Sequence, residues 1–504
     1  MKKILINKDS WQTRVAVLNN DKLQDIYFDT HNKEDLDRCF FKGRISKLLP
    51  GIQTAFVDIN QQKAGFLHIT EVDRALATER ITDFLQTDDG REEFTHREIK
   101  GSLDIGKIFT EGEEVLVQVI KEPISEKGAK LSTCFTLPGK FIVLMPNIPH
   151  LGVSKKIEGK EERTRLREVL QQNLPPGMGA IIRTTAEGRS AKDLQKDLAF
   201  LISTWSSVVK KFKKAKAGDL IHEDLSLPLR VMRDHLDEDV QLVVSDDQEE
   251  LQSLHKFVKH FTPEDVAKLR FYSGPPSLFE RFGIDEQIEK ALQKKVFLKC
   301  GGSLVIETAE AMTVIDVNTG KFTGSTTSLE DTILKTNLEA ADEIVTQLRL
   351  RNIGGLIVID FIDMNNLSNR TKLSRFLEKM LKEKDKYQSV TLKVSEFGLI
   401  QMTRKRSGKT LLQQLTNVCS ACTGCGFVKS IQSLSFQILR EFKEEVKRKS
   451  LTSSVTLSVS NRVFEYLIHN EYQAILQLEK QLNCKAVLEC NEQYEDMQFT
   501  IQQM

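Results

Sequence analysis

The sequence predicts a multidomain protein of mixed α/β and α+β class. Three observations carry that expectation. The chain has 504 residues, more than a single hydrophobic core usually serves. Between Gly301 and Asp360, the strand-like runs SLVIET, MTVIDV and LIVID enclose a long helical segment, a strand–helix–strand unit. Between Gly43 and Ile124, short β-rich runs alternate with polar turns. The composition, 40% hydrophobic and 28% charged, is that of an ordinary soluble protein. Its 72 basic and 71 acidic residues give a net charge of +1. A nucleic-acid binder with that balance must cluster its cations locally, because the total gives no field.

In chain order, ILI, TRVAVL and LQDIYF read as strands separated by turns. TAFVDI and AGFLHI then flank a polar turn at Asn60 to Lys63, and EEVLVQVIKEPI follows; together they suggest a small OB-type barrel. The polar segment 71–101 reads as an insertion between its strands. KFIVLMP is a further strand, a charged helix opens at Glu161, and Pro175-Pro176-Gly177 turns the chain into the strand GAIIR. Residues 191–216 form an amphipathic helix with a lysine-rich end, and VQLVVSD starts a new α/β pattern. After the strands SLVIET and MTVIDV, Ser328 is placed as an N-cap with Asp331 three residues on. That helix runs to about Arg351 and is stopped by Gly354-Gly355. LIVID is a buried-type strand, a second helix covers 371–384, and TLKVSEF is another strand. A small C-terminal domain extends to Met504. The longest apolar runs, FIVLM and LIVI, are strand-sized, so no transmembrane segment is expected. The start, MKKILINKDSW, lacks the apolar stretch of a signal peptide. Eight cysteines without such a signal predict reduced thiols in a cytoplasm.

Asp316 ends one strand and Asp360 ends the next in the strand–helix–strand unit. Such units place their strands parallel, with a right-handed crossover. Both acids then reach the carboxyl edge of the sheet, where ligands of open α/β sheets bind. Two carboxylates that close repel when ionised, and a Mg²⁺ ion would remove the repulsion. Asn318 and Asp363 lie just beyond. The plainer alternative is that each Asp only caps a turn. Arg183 and Thr184, after the strand GAIIR, offer donors for a phosphate; a loop arginine at the surface accounts for them equally. Phe56 and Phe66 fall on two barrel strands, where exposed rings would stack on bases and inward ones would fill the core. Lys127 and the TRKRSGK stretch, with Arg404 and Arg406, supply local positive charge for a nucleic-acid backbone. Finally, NVCSACTGCGF places Cys419 and Cys422 as half of a tetrahedral thiolate site, with Cys425 nearby. The remaining cysteines, Cys39, Cys134, Cys300, Cys484 and Cys490, form no second pair of that kind.

The order AFVDI, GFLHI, IIRTTAEG, TVIDVNTGKFTG, NLEAADEIVTQLRLRNIGGLIVIDFIDM, SEFGLIQMTRKR and C-x-x-C resembles the ribonuclease E/G family of bacterial endoribonucleases. The resemblance is strong over 1–427 and weaker beyond. It implies Mg²⁺-dependent cleavage of single-stranded RNA in ribosomal, transfer or messenger RNA processing, leaving a 5′-phosphate on the downstream product. Asp316 and Asp360 match the family's metal-binding aspartates, and Asn318 its neighbouring asparagine. Arg183, Thr184, Gly139 and Val143 match a pocket that senses a 5′-monophosphate. Phe56, Phe66 and Lys127 match RNA-contacting positions. The implied architecture is an RNase H-like domain (1–36 and 229–292) with an inserted OB-fold RNA-binding domain (37–130) and a 5′-sensor region (131–228). A DNase I-like catalytic domain (293–415), a zinc link (416–429) and a small C-terminal domain (430–504) follow. In the zinc link, Cys419 and Cys422 of two protomers share one Zn²⁺, implying a homodimer or a tetramer of such dimers. The family usually reads C-P-x-C there, and Ser420 takes the proline position. Some members carry a long disordered tail that scaffolds a degradosome; at this length the chain resembles the shorter, G-type members or a tail-less E-type enzyme. The rival readings are a non-catalytic OB-fold RNA-binding protein and a zinc-linked assembly scaffold.

Overall fold

The computed structural model describes residues 1–30, 35–73, 104–123, 127–320, 329–395, 397–449, 451 and 453–503. The chain divides into two compact units, 1–414 and 415–504. The first strand, Lys2–Lys8, lies inside a five-stranded sheet. It pairs antiparallel with Gln12–Asn19 and parallel with Val240–Ser245, so the start of the chain is completed by a segment more than two hundred residues later. Ile4 and Ile6 point into one apolar cluster and Leu5 into another, all fully buried. Both faces of that sheet are therefore covered, and the strand reads as a continuous apolar run.

Between these two parts sits a closed barrel. Phe40–Leu49 pairs with both Thr54–Asp58 and Glu114–Lys121, and Gly65–His68 and Lys130–Ser132 complete the ring. Ile45, Val57, Leu67, Val117 and Leu131 fill it. Gly43 has no substitute here: a Cβ would lie 2.3 Å from the Val57 side chain. Most of the expected insertion at 71–101 lies outside the described residues. Next, a four-stranded sheet of Leu137–Pro138, Ile142–Met145, Leu151–Val153 and Gly179–Ile182 packs under helices Lys160–Asn173 and Ala191–Lys214.

The six-stranded sheet that follows carries the candidate site. Its order is Lys295–Phe297, Ser303–Thr308, Met312–Asn318, Gly355–Asp360, Leu399–Arg404, Ser389–Thr391. Helices Leu329–Leu350 and Leu367–Lys384 cover one face, and Ala340 and Ala341 let the first approach Ile315, Ile357 and Ile359 closely. Three sequence expectations are corrected. The first helix ends at Leu350, and Asn352, at φ 52°, makes the left-handed turn. Gly354 and Gly355 instead lead into the next strand, which starts at Gly355, and a Cβ at either would strike Arg406. The second helix starts at Leu367, capped by Asn366, one turn before the expected Thr371. TLKVSEF is not one strand: the ladder covers only Ser389–Thr391. Ser328, the expected N-cap, lies outside the described residues. In the unit 415–504, Ser454–Val459 runs between Lys485–Cys490 and Phe499–Gln503, backed by three helices.

One buried ionic cluster joins the first sheet to the six-stranded one. Asp25, 3% exposed, receives both Arg349 Nε at 3.1 Å and Lys386 Nζ at 3.0 Å. Lys386 also donates to Tyr27, whose hydroxyl meets His235 Nε2 at 2.8 Å. Burial alone would raise the Asp25 carboxyl; Lys386 and Arg349 outweigh it and hold the group well below the usual carboxylate range. The contribution is thus complete above about pH 4, the ordinary value for an unfolded Asp, and is lost as pH falls through the depressed folded value. Asp25→Asn would leave two part-buried cations, Arg349 and Lys386, without the carboxylate they share. The expected loss is about 3–5 kcal/mol in urea unfolding at pH 7; a loss under 1 kcal/mol would show that the cluster is not a stabilising joint.

Candidate active site

Strands Met312–Asn318 and Gly355–Asp360 run parallel, and the last matched pair in their register is Asp316 opposite Asp360. Adjacent strands lie about 4.8 Å apart. Along the first strand Thr313, Ile315 and Val317 are buried under the helices, while Val314, Asp316 and Asn318 are exposed on the open face. Asn318 Nδ2 donates to Asp316 Oδ2 at 2.7 Å, fixing that carboxylate. Partial burial pushes the Asp360 carboxyl up, and the charges of Asp316 and Asp363 push it further. Among the described residues no group of three or more His, Cys, Asp or Glu side chains converges. The strand edge presents a pair of exposed carboxylates, with hard oxygen atoms.

Two residues that hold this edge in place have no chemistry of their own and were not singled out from the sequence. Asn337, fully buried in the helix Leu329–Leu350, accepts from Ile362 N at 3.1 Å and donates to Ile362 O at 2.8 Å. It clamps the chain two residues past Asp360. Glu339 accepts from Lys299 N at 2.6 Å and Cys300 N at 3.2 Å, anchoring the loop before the strand Ser303–Thr308. The signal was present in NLEAADEI: an Asn on the apolar side of a helix must find partners.

The structure brings the four anion-pocket candidates together. Gly139 and Val143 lie on either side of the turn into Ile142–Met145, Val143 pairs with Ile181, and Arg183 and Thr184 follow two and three residues later. Arg183 Nη1 donates to Gly139 O at 2.7 Å, and Nη2 to Asp234 Oδ1 at 2.6 Å. Thr184 is exposed beside it. Burial acts to raise the Asp234 carboxyl, but Arg233 and Arg183 hold it well below the usual range. Beneath the turn, Asp197 accepts from the backbone N–H groups of Lys140, Phe141 and Ile142 at 3.2, 2.7 and 3.0 Å. A Cβ on Gly139 would lie 2.5 Å from that carboxylate, which explains the glycine.

On the barrel, Phe56 and Phe66 are register partners. Both are half-buried on the outer face, while Ala55, Val57 and Leu67 point inward. Lys127 is exposed near the strand that pairs with Phe66. The TRKRSGK stretch divides. Arg406 is exposed, but Arg404 is 2% exposed and grips Asp385 through Nε at 2.7 Å and Nη2 at 2.8 Å. Arg404 is a core ion pair and is not available to RNA, contrary to the sequence expectation. In the second unit, Cys419 and Cys422 share one tight turn, closed by Thr423 N to Cys419 O at 2.8 Å. Backbone N–H groups of Gly426 and Gly424 lower the Cys422 thiol, favouring the thiolate that binds metals.

A model of the ribonuclease E/G family matches residues 136–407, and a model of its thioredoxin-like domain matches 418–504. The chain is 36% identical over 501 residues to ribonuclease G of Salmonella typhimurium, covering 99% of both. It is 35% identical over 501 residues to ribonuclease G of Haemophilus influenzae, covering 99% and 98%. It is also 35% identical over 507 residues to ribonuclease E of Escherichia coli, covering 99% of this chain and 46% of that one.

If the carboxylate pair holds a divalent ion, calorimetry with Mg²⁺ should give an affinity that rises with pH through the range where Asp360 loses its proton. Asp360→Asn should weaken binding at least about tenfold, with the melting temperature retained. An unchanged affinity in that variant would remove the pair from metal binding.

Proposed function

This chain is a member of the ribonuclease E/G family, and from that premise we propose an endoribonuclease that cuts single-stranded RNA with Mg²⁺. The observation that carries the reading is the register match of Asp316 with Asp360 at the open edge of a parallel strand pair. The residues fit the ion: two exposed carboxylates, one pushed up by partial burial and by its neighbours' charge, are the hard donors that Mg²⁺ takes while keeping most of its waters. When bound, the ion supplies positive charge against the phosphodiester and activates a water near neutral pH. Asp316 and Asp360 hold it. Asn318 keeps Asp316 in one orientation, and Asn337 fixes the chain that carries Asp360. In-line attack on the phosphorus then leaves the 5′-phosphate on the downstream fragment.

Arg183, Thr184, Gly139 and Val143 form the pocket for a substrate's 5′-monophosphate. Two Arg183 donors are already engaged by Gly139 O and Asp234, which aim the guanidinium and leave its other N–H groups for the ligand. Phe56, Phe66, Lys127 and Arg406 make up the RNA surface. We read 1–36 with 229–292 as the RNase H-like domain, 293–415 as the DNase I-like catalytic domain and 416–429 as a zinc link. Each chain presents two converging thiols, so one Zn²⁺ joins Cys419 and Cys422 of two copies. That makes the protein a homodimer, or a tetramer of dimers. We place it in a reducing cytoplasm, where its eight cysteines would remain thiols.

On a short 5′-monophosphorylated RNA, Asp316→Asn or Asp360→Asn should cut cleavage at least about a hundredfold while RNA binding persists. Full activity in both would sink the catalytic assignment and favour a plain RNA-binding protein. Arg183→Ala should bring the rate ratio between 5′-monophosphate and 5′-hydroxyl substrates close to one; a ratio like that of the wild type would clear Arg183 of the role. Metal analysis should find one zinc per two chains, and Cys419→Ser should dissociate the dimer in analytical ultracentrifugation. One zinc per chain would mean that the site closes within each protomer.

A further inference from the structure

The helix Ala191–Lys214 ends in Lys210, Lys211, Lys213 and Lys214, and Lys216 follows two residues later. All five are exposed, and none forms a salt bridge among the described residues. Cations at a helix C-terminus gain something from the dipole, but that favours one or two and falls off within the last turn. Five in seven residues repel each other. The nearby acid, Asp219, caps Lys216 through its backbone N–H at 2.8 Å.

The cluster is fastened to the barrel. Lys42 Nζ donates to Ala215 O at 2.9 Å and lies 5.1 Å from the centre of the Phe212 ring. Gly218 N donates to Lys42 O at 2.6 Å, and Lys42 N to Asp219 O at 3.0 Å. Gly218, at φ 92°, sits against Asn60: a Cβ there would be 2.9 Å from the Asn60 Cβ. Asn60 lies in the turn that joins the strand of Phe56 to the strand of Phe66. Phe56 is four residues back, about 13 Å along the strand. The segment that carries the lysines thus reaches the turn joining the strands of the outward aromatic pair, on the same barrel. At its other end the helix starts just after the turn that bears Arg183 and Thr184, about 36 Å away along the axis.

We propose that this lysine cluster is a further contact for the phosphate backbone of the same single-stranded RNA that stacks on Phe56 and Phe66. The inference rests on the RNA-cleaving reading above. It adds a region of the substrate footprint that no base-stacking residue marks. Stacking on aromatic rings and a flanking cationic track are the two parts of sequence-independent single-strand binding. An anionic membrane would instead need an apolar face beside the charge, and the exposed residues among 210–216 are all lysines.

The test uses the full chain carrying Asp316→Asn, so that RNA is bound and not cut. Lys210, Lys211, Lys213 and Lys214 are all changed to Gln, and in a second protein all four to Arg. Affinity for a 5′-hydroxyl RNA of about 20 nucleotides is measured between about 50 and 200 mM salt. The Gln protein should bind at least tenfold more weakly at low salt, and the slope of log K against log salt should shrink by about 2 to 3, at about 0.7 per lost contact. The Arg protein should keep both, and all should melt alike. Equal affinity and slope in the Gln protein overturns the proposal. So does a lysine-dependent partition into anionic phospholipid vesicles with RNA binding unchanged. If Asp316→Asn with its lysines intact binds no RNA, the function reading falls as well; if it binds normally and the Gln protein matches it, only the lysine assignment falls.

Discussion

The candidate site depends on two like charges being forced to face each other. Asp316 and Asp360 oppose one another because their strands run parallel and in register. At about 5 Å the repulsion is roughly 1–3 kcal/mol, depending on how far water screens it. A parallel pair cannot be joined by a tight turn, so the long helix Leu329–Leu350 must cross back over the sheet. That helix needs alanines to lie close and an internal asparagine to hold the chain beyond Asp360. The surrounding scaffold thus keeps an unfavourable charge pair in place, the arrangement on which the proposed cation site rests.

Positive charge is handled in two opposite ways. Arg404 and Arg233 are buried, Arg349 is mostly buried, and each grips a carboxylate, so they act as core joints. Arg183 is intermediate: it is held by Asp234 at one edge and is partly exposed with the rest, toward the pocket proposed for an anion. The lysines at 210–216 are free in solvent. A near-zero net charge therefore conceals local fields, with carboxylates at the sheet edge and cations along the barrel and its adjoining helix.

Much of this was legible in the sequence where a pattern has one physical meaning. Each aspartate follows an apolar run, and the helical stretch between them has crossover length, so their shared edge could be read directly. The Phe56 and Phe66 rings could not be placed, because TAFVDI and GFLHI are apolar on both sides of the pleat. Arg404 was misplaced although the clue existed: Ile400, Met402 and Arg404 share one parity of the strand, and that parity faces the core. Charge counting hid what the period of two would have shown. Asn337 and Glu339 escaped because their partners lie 25 and about 40 residues away, a distance no local rule spans.

The Asp25 cluster also bears on how the chain is made. Asp25 is bound to residues 349 and 386, far along the sequence. At a synthesis rate of about 5–20 residues per second, roughly 20–70 s separate the emergence of the acid from that of its second cation. Over that interval the first sheet also lacks its parallel neighbour, Val240–Ser245, for much of the time. The first thirty residues are thus among the earliest to leave the ribosome and among the last to be buried. The barrel, whose strands lie between residues 40 and 132, needs no such wait, and can close while its N-terminal neighbour is still open.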